Sequence, residues 1–321
     1  MASLIIVLFG CEIGARILLS DIGTTGNRTD YFSQRWYTSH PPQKNRLGFR
    51  DRDFTPMAQP GIFRIAIIGD SFTYGAGIME RDRVSDRLDE LLNRREHRYE
   101  VLNFGVPGAN YAEHRANMAV AIRASHPHFI LLQWYLNDVD DPQTRRPDPK
   151  QPGWILHEPL SRSSALYMLL SHAFADAQIR LGLVDPDAYY ARFRDPRDEL
   201  AQRADARLAE VLNVARAAAI PIAIYIWPEL GRPIGLSPND GLIDKLLERC
   251  HRERIACVDL RPALAAVSDR KSLIVNRFDA HASAYANQLA SDVLLRRFGP
   301  AWEQQSRAAT AGNQQPRKGK P

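Results

Sequence analysis

A chain of 321 residues, 45% hydrophobic and 25% charged, can bury a full core and is expected to form one main domain with extensions. Its formal charge of +5 is slight for this length, part of it sits in the tail at Arg317, Lys318 and Lys320, and no basic stripe alternates with aromatics, which argues against a nucleic-acid partner. The three cysteines, Cys11, Cys250 and Cys257, form no C-x-x-C pair, which argues against a zinc or redox motif and leaves Cys250 and Cys257 as two buried thiols or, in an exported protein, a bridge.

Residues 2–9 are almost wholly apolar, but Glu12 and Arg16 interrupt the run before the roughly 20 residues that a membrane span needs. No lysine or arginine precedes it, so a standard signal peptide is incomplete, and Leu8-Phe9-Gly10-Cys11 only partly matches a lipoprotein cleavage site. Residues 1–20 are therefore expected to be a membrane or signal anchor, with a lipidated end or a short buried helix as alternatives. Arg16, Arg28 and Arg35 follow the run, which by the positive-inside rule does not favour export. An exported or membrane-anchored protein facing the periplasm is nevertheless the expectation, with a cytoplasmic one as the alternative.

Residues 21–60 read as an extended lead-in, broken at His40-Pro41-Pro42. Strand-like segments then fall at Ile62–Ile68, Tyr99–Phe104, Phe129–Trp134, Ile220–Ile226 and Ile255–Leu260, with helical stretches between them at Arg83–Arg95, Ala112–Ala124, Glu199–Ala219 and Leu242–Arg254. This alternation predicts an α/β domain over about 61–300, built on a parallel sheet covered on both faces. From about 141 to 200 the pattern lapses into a proline-rich insertion and an amphipathic helix over Ser161–Gly182, placed to shape a pocket or simply to pack on the domain. Ala286–Arg297 supplies a last helix, and 301–321 reads as a disordered basic tail.

Gly69-Asp70-Ser71-Phe72-Thr73 follows the apolar run Phe63–Ile68, so Ser71 stands on a tight turn at the carboxyl edge of the sheet, a place for a nucleophile or for a helix-capping serine. An activated serine needs a base, the base needs an orienting group, and the developing oxyanion needs donors. His281 is the candidate base: it lies late in the chain, ahead of a helix, with Asp279 two residues earlier to curl back onto it from a loop. Gly108, after the second strand, and Asn137, after the third, end at the same sheet edge and can supply oxyanion donors with the Ser71 N–H. His114, His126 and His128 read as surface or packing residues, without convincing metal spacing.

These residues carry a resemblance. From about Ile62 to Phe298 the chain resembles the SGNH hydrolases, the GDSL-like esterases and acyltransferases, with Gly69-Asp70-Ser71, Gly108, Asn137-Asp138 and Asp279-Ala280-His281 matching their four blocks in order. The resemblance implies a flavodoxin-like three-layer α/β/α sandwich, with Ser71 as nucleophile and His281 as base oriented by Asp279. It also implies an oxyanion hole from Ser71, Gly108 and Asn137, with no cofactor and no metal. The chain departs from the family pattern at Tyr135, where glycine is usual, at Ala282-Ser283, where Pro-Asn is common, and in the two-residue spacing of Asp279 from His281. The lead-in segment Asn45–Asp51 is also similar to that of membrane-anchored bacterial members, without a physical role legible in it.

The expected function is thus a serine esterase that removes short acyl groups, plausibly acetyl from carbohydrate, with a small acyl ester or acylated carbohydrate as its partner and attachment to a membrane through the N-terminus. The alternatives are an acyltransferase that modifies an exported polysaccharide and, in a different class, a binding module without chemistry. In the insertion, Trp154 and Tyr167 are available to stack on a sugar.

Overall fold

The computed structural model describes residues 2–26, 29–141, 143–144 and 156–313. Five strands, β1 (Phe63–Gly69), β2 (Tyr99–Gly105), β3 (Phe129–Trp134), β4 (Ile222–Ile226) and β5 (Ala256–Asp259), form one sheet in the order β2-β1-β3-β4-β5, and every pairing is parallel. A short antiparallel pair, β6 (Ile274–Asn276) and β7 (Asp279–Ala282), stands apart from it.

The helices, in chain order, are α1 (Ala2–Leu18), α2 (Tyr31–Ser39), α3 (Ser71–Tyr74), α4 (Val84–Leu92), α5 (Tyr111–Ser125), α6 (His157–Ser163), α7 (Ala165–Arg180), α8 (Ala188–Arg194), α9 (Glu199–Ala217), α10 (Asp240–Glu253), α11 (Arg261–Ala265) and α12 (Ala284–Asn313). The sheet strands are apolar almost throughout because both faces are covered, and successive side chains go to opposite layers. Ala66 and Ile68 of β1 join Ile130 and Leu132 of β3 in the core under α5, α9 and α10. Ile65 and Ile67 join Phe129 and Leu131 in the core under α4, α11 and α12. The result is the expected three-layer α/β/α sandwich. In this strand order the chain reverses direction across the sheet between β1 and β3, so a crevice opens at their carboxyl ends.

Around the sandwich the structure departs from the sequence reading. The lead-in over 21–60 is not wholly extended: Asp30 caps α2 by accepting from the Ser33 N–H, and Phe32 is buried with Ala15, Leu19, Ile22, Ala165 and Met168 in a third, smaller core. The single insertion helix expected over Ser161–Gly182 is instead two, because Ser164 is extended and its hydroxyl caps α7 at the Tyr167 N–H. Glu12 of α1 accepts from Ser164, Ala165 and Leu166 at that break, which fastens α1 to α7. Cys250 and Cys257 are bridged rather than free, with Cα atoms 6.2 Å apart, joining the last turn of α10 to β5.

The tail is also corrected. Helix α12 runs past 301 to Asn313 because Trp302 is completely buried, with its ring 5.6 Å from both Phe129 and Phe298. The residues after Asn313, including Arg317, Lys318 and Lys320, lie outside the described residues. Among the described residues no helix is long and apolar enough to cross a membrane. Truncating an aromatic in such a site costs about 3–5 kcal/mol, so Trp302→Ala should lower unfolding stability in urea by that amount. A loss under about 1 kcal/mol would mean that the end of α12 does not dock on the sheet layer.

Candidate active site

Strand β1 ends where its backbone meets a wall. A Cβ on Gly69 would lie 2.1 Å from Thr73 Oγ1 and 2.4 Å from Gln133 Oε1, so glycine is needed here for close approach rather than for an unusual φ. Gln133 Oε1 accepts from the Asp70 N–H at 2.9 Å and Asp70 Oδ1 accepts from the Phe72 N–H at 2.8 Å, which starts α3 directly at Ser71. Asn103 of β2 holds the turn from below, its amide donating to Thr73 O at 2.6 Å and to Ser85 Oγ at 2.8 Å.

The Asn45–Asp51 segment acquires a physical role at this turn. The guanidinium of Arg50 donates to Gly75 O at 2.7 Å and Tyr74 O at 3.2 Å, carbonyls that α3 leaves unpaired at its end, and to Ile78 O in the following turn at 3.0 Å. Asp51 Oδ2 accepts from the Asn103 N–H at 2.7 Å. Asn45 Oδ1 accepts from Leu47 and Phe49 and folds the segment into its own loop.

Asp279 and His281 both lie on β7, not in a loop. Residues two apart on a strand share a face, so the carboxylate reaches the imidazole without the chain having to turn back. His281 Nδ1 and Asp279 Oδ1 are 2.5 Å apart, the His281 N–H donates to the same oxygen at 3.1 Å, and His281 Nε2 is 2.8 Å from Ser71 Oγ. Ser71, His281 and Asp279 therefore form a continuous hydrogen-bonded chain. With Nδ1–H donating to the carboxylate, Nε2 is left to accept from the serine hydroxyl.

Burial by itself would raise the Asp279 pKa, but the His281 charge and hydrogen bonds from His281 and Thr24 bring it down to about 2. Burial opposes charge on His281 as well, yet the Asp279 charge and hydrogen bond, with the Asp70 charge behind them, raise its pKa above the ordinary value. A general base of this kind can take the serine proton while the neighbouring carboxylate stabilises the imidazolium.

These three residues open into a cavity of about 330 Å³, which Gly108 and Asn137 also line. Gly108 has φ +77° with nothing within 4 Å of where a Cβ would be, so the glycine answers to backbone conformation, and its turn follows β2 at the sheet edge. The Asn137 amide donates to Ala109 O at 3.2 Å, which ties the turn after β3 to the turn after β2. All five candidate residues thus meet in one cavity. Among the described residues, no group of three or more His, Cys, Asp or Glu is placed to hold a metal ion.

Two features were not legible in the sequence. One is a buried polar layer under the site: His114 Nε2 lies 3.0 Å from Asp138 Oδ1 with both side chains fully buried, so of the two readings of His114, surface or packing, packing holds, with an acid as the partner. Burial, with Asp70 as a nearby like charge, pushes Asp138 up to about 7 against the pull of His114. The other is the wall of the cavity. Among the described residues it is formed by Thr24, Gly26, Ser33 and Tyr37 of the lead-in together with Tyr135 and Asp140, with none from the insertion. Tyr167 is engaged with His157, its hydroxyl 2.7 Å from Nδ1, and does not line the cavity, while Trp154 lies outside the described residues.

Residues 67–289 match the model of a family described as GDSL-like Lipase/Acylhydrolase. No curated protein matches the chain. Solved structures similar to it include a lipolytic protein of the G-D-S-L family from Desulfitobacterium hafniense DCB-2, at 11% identity and TM-score 0.45, covering 73% of this chain and 98% of that one. An acetyl xylan esterase is similar at 15% identity and TM-score 0.47, covering 73% and 99%. The psychrotrophic esterase EstA from Pseudoalteromonas sp. is similar at 12% identity and TM-score 0.46, covering 75% and 98%. Likeness this distant says nothing about substrate.

The balance of charges at His281 can be measured directly. An NMR titration of its imidazole should give a midpoint above the ordinary value of about 6.5. A midpoint at or below that value would mean that burial, not Asp279, dominates the ring.

Proposed function

The chain belongs to the GDSL-like lipase/acylhydrolase family and is an ester-bond hydrolase; on that premise we propose that it is a serine esterase acting on short acyl esters of carbohydrate through Ser71, His281 and Asp279. The observation that carries this reading is the unbroken chain from Ser71 Oγ to His281 Nε2 and from Nδ1 to Asp279 Oδ1, opening into a cavity shared with Gly108 and Asn137.

In this mechanism Ser71 Oγ attacks the ester carbonyl while His281 Nε2 takes its proton. The backbone N–H groups of Ser71 and Gly108 and the Asn137 amide meet the developing oxyanion. His281 then returns the proton to the departing sugar oxygen as the tetrahedral intermediate collapses to an acyl-serine. Water attacks the acyl-serine with His281 again as base, which releases the acid and restores Ser71.

The cavity supports the substrate class. At about 330 Å³ it lies near the lower end of the range for ligand pockets, roughly 300–1,000 Å³, which suits a small acyl group and a sugar ring better than a long acyl chain. Its lining mixes the aromatic residues Tyr37 and Tyr135 with the polar residues Ser33 and Asp140, a composition that suits a sugar.

We also propose that the N-terminus attaches to a lipid surface. Leu4, Ile5, Ile6, Val7, Leu8 and Phe9 are each between 51% and 70% exposed, and six consecutive helical residues cover the whole circumference of α1. A groove in a protein would cover one stripe of such a helix, whereas lipid can surround it. The Cys250–Cys257 bridge fits an oxidising compartment such as the periplasm.

Ser71→Ala should abolish both acetate release from acetylated oligosaccharides and labelling by a fluorophosphonate, and wild-type turnover in that variant would overturn the assignment. Because the base must be neutral, turnover in the wild type should rise with pH through the His281 midpoint. Free acid should dominate when an oligosaccharide acceptor is present; mostly acylated sugar would replace hydrolysis with transfer. The protein should co-sediment with phospholipid vesicles, and substituting both Ile6→Lys and Phe9→Lys should release it. Equal binding by the double variant would exclude α1 as the attachment.

A further inference from the structure

The second oxygen of the Asp279 carboxylate is satisfied from outside the region that the family model matches. Asp279 is 1% exposed, and its Oδ1 is taken by the backbone and the ring of His281. Oδ2 accepts from the hydroxyl of Thr24, a residue 255 positions earlier in the chain and 3% exposed. Thr24 is itself held in place, since Asn276 of β6 donates to its carbonyl at 3.0 Å. Gly26, at φ +75°, brings the backbone so close that a Cβ there would lie 3.7 Å from Asp279 Oδ1 and 4.0 Å from His281 Cε1.

The segment around Thr24 is braced independently of the site. The Thr25 hydroxyl donates to Asp30 Oδ2, the Thr25 N–H donates to Ser33 Oγ, and the Arg35 guanidinium donates to Ile22 O at 2.6 Å. Ile22 and Phe32 are buried against Ala165 and Met168 of α7. The insertion thus supports the lead-in, and the lead-in supports the acid.

We propose that Thr24 is a positioning residue for the reaction assigned to Ser71, fixing the Asp279 carboxylate so that Oδ1 faces His281 Nδ1. The inference rests on the esterase reading. A carboxylate gripped at one oxygen only can swing about its Cα–Cβ and Cβ–Cγ bonds, and a buried oxygen without a donor draws in water or a new partner. With Oδ2 tied to Thr24 and Oδ1 to the His281 backbone, the plane of the carboxylate is set before substrate arrives. Thr24 also lines the cavity, but its hydroxyl is turned to Asp279, so loss of that donor acts on the chemical step through His281.

The test uses the full chain and compares Thr24→Val, which keeps the shape and removes the donor, with Thr24→Ser, which keeps the donor and loses a methyl group. Thr24→Val should lower kcat by about tenfold with KM unchanged, as expected for loss of one hydrogen bond to a buried charge, while Thr24→Ser stays near wild type. A wild-type kcat in Thr24→Val, a Thr24→Ser variant as impaired as Thr24→Val, or a loss confined to KM would overturn the proposal. If Thr24→Val does not fold, Thr24→Ala takes its place, and Thr24→Ser must hold the kcat that alanine loses. These outcomes are separate from the fate of the esterase reading, because Ser71→Ala tests that reading in a chain whose Thr24 is intact.

Discussion

A carboxylate taken almost completely out of water has to be surrounded by donors, and the arrangement of this molecule above its sheet follows from meeting that demand at Asp279. Burial penalises the charge, and only converging hydrogen bonds with a neighbouring cation make it the stable form. The backbone and ring of His281 come from the same strand, and Thr24 comes from the far end of the chain. One anionic group therefore holds together a short hairpin, a lead-in and, through His281, the serine at the tip of β1. The parallel sheet contributes by being rigid: it fixes the carboxyl ends of β1 and β3, between which the topology leaves a crevice.

The turn at Ser71 shows the same economy. Gly69 has no room for a side chain because Thr73 and Gln133 close over it, and Asn103 and Arg50 take up carbonyls that a helix of four residues cannot satisfy itself. A turn with so many partners cannot relax when the serine hydroxyl is engaged, which is how preorganised catalytic groups are held.

Much of this was legible in the sequence, and the reason is local. Strands β1, β3 and β4 are apolar runs bounded by turn residues, α9 and α10 carry a helical period, and Gly-Asp-Ser after an apolar strand or Asp-x-His before a helix can be recognised without knowing what lies opposite. What was not legible depends on partners distant in the chain. His114 is a buried member of an acid pair only because Asp138 arrives beside it across the sheet layer. The composition of the tail reads as disordered, but Trp302 finds Phe129 and Phe298 and carries the helix on to Asn313. The insertion reads equally as a pocket wall or as packing, and its described residues pack under the lead-in, while residues that precede the first strand join Tyr135 and Asp140 in the wall. Composition does not distinguish a strap from a linker when the strap is held by a few hydrogen bonds at Thr24, Thr25 and Asn45.

The distance along the chain between Thr24 and Asp279 has a consequence for how the molecule is made. Contacts of such long sequence separation form late, since the ends of a long loop must first be brought together. Synthesis delivers the lead-in first and the β6-β7 hairpin almost last, so the segment that closes over the site waits for nearly the whole chain before it has anything to grip. Until then Ser71 has no imidazole beside it, although α1 with its exposed apolar residues has already been made. A chain cut short anywhere before the hairpin would therefore carry the whole lead-in and α1 but no partner for Thr24 or Ser71.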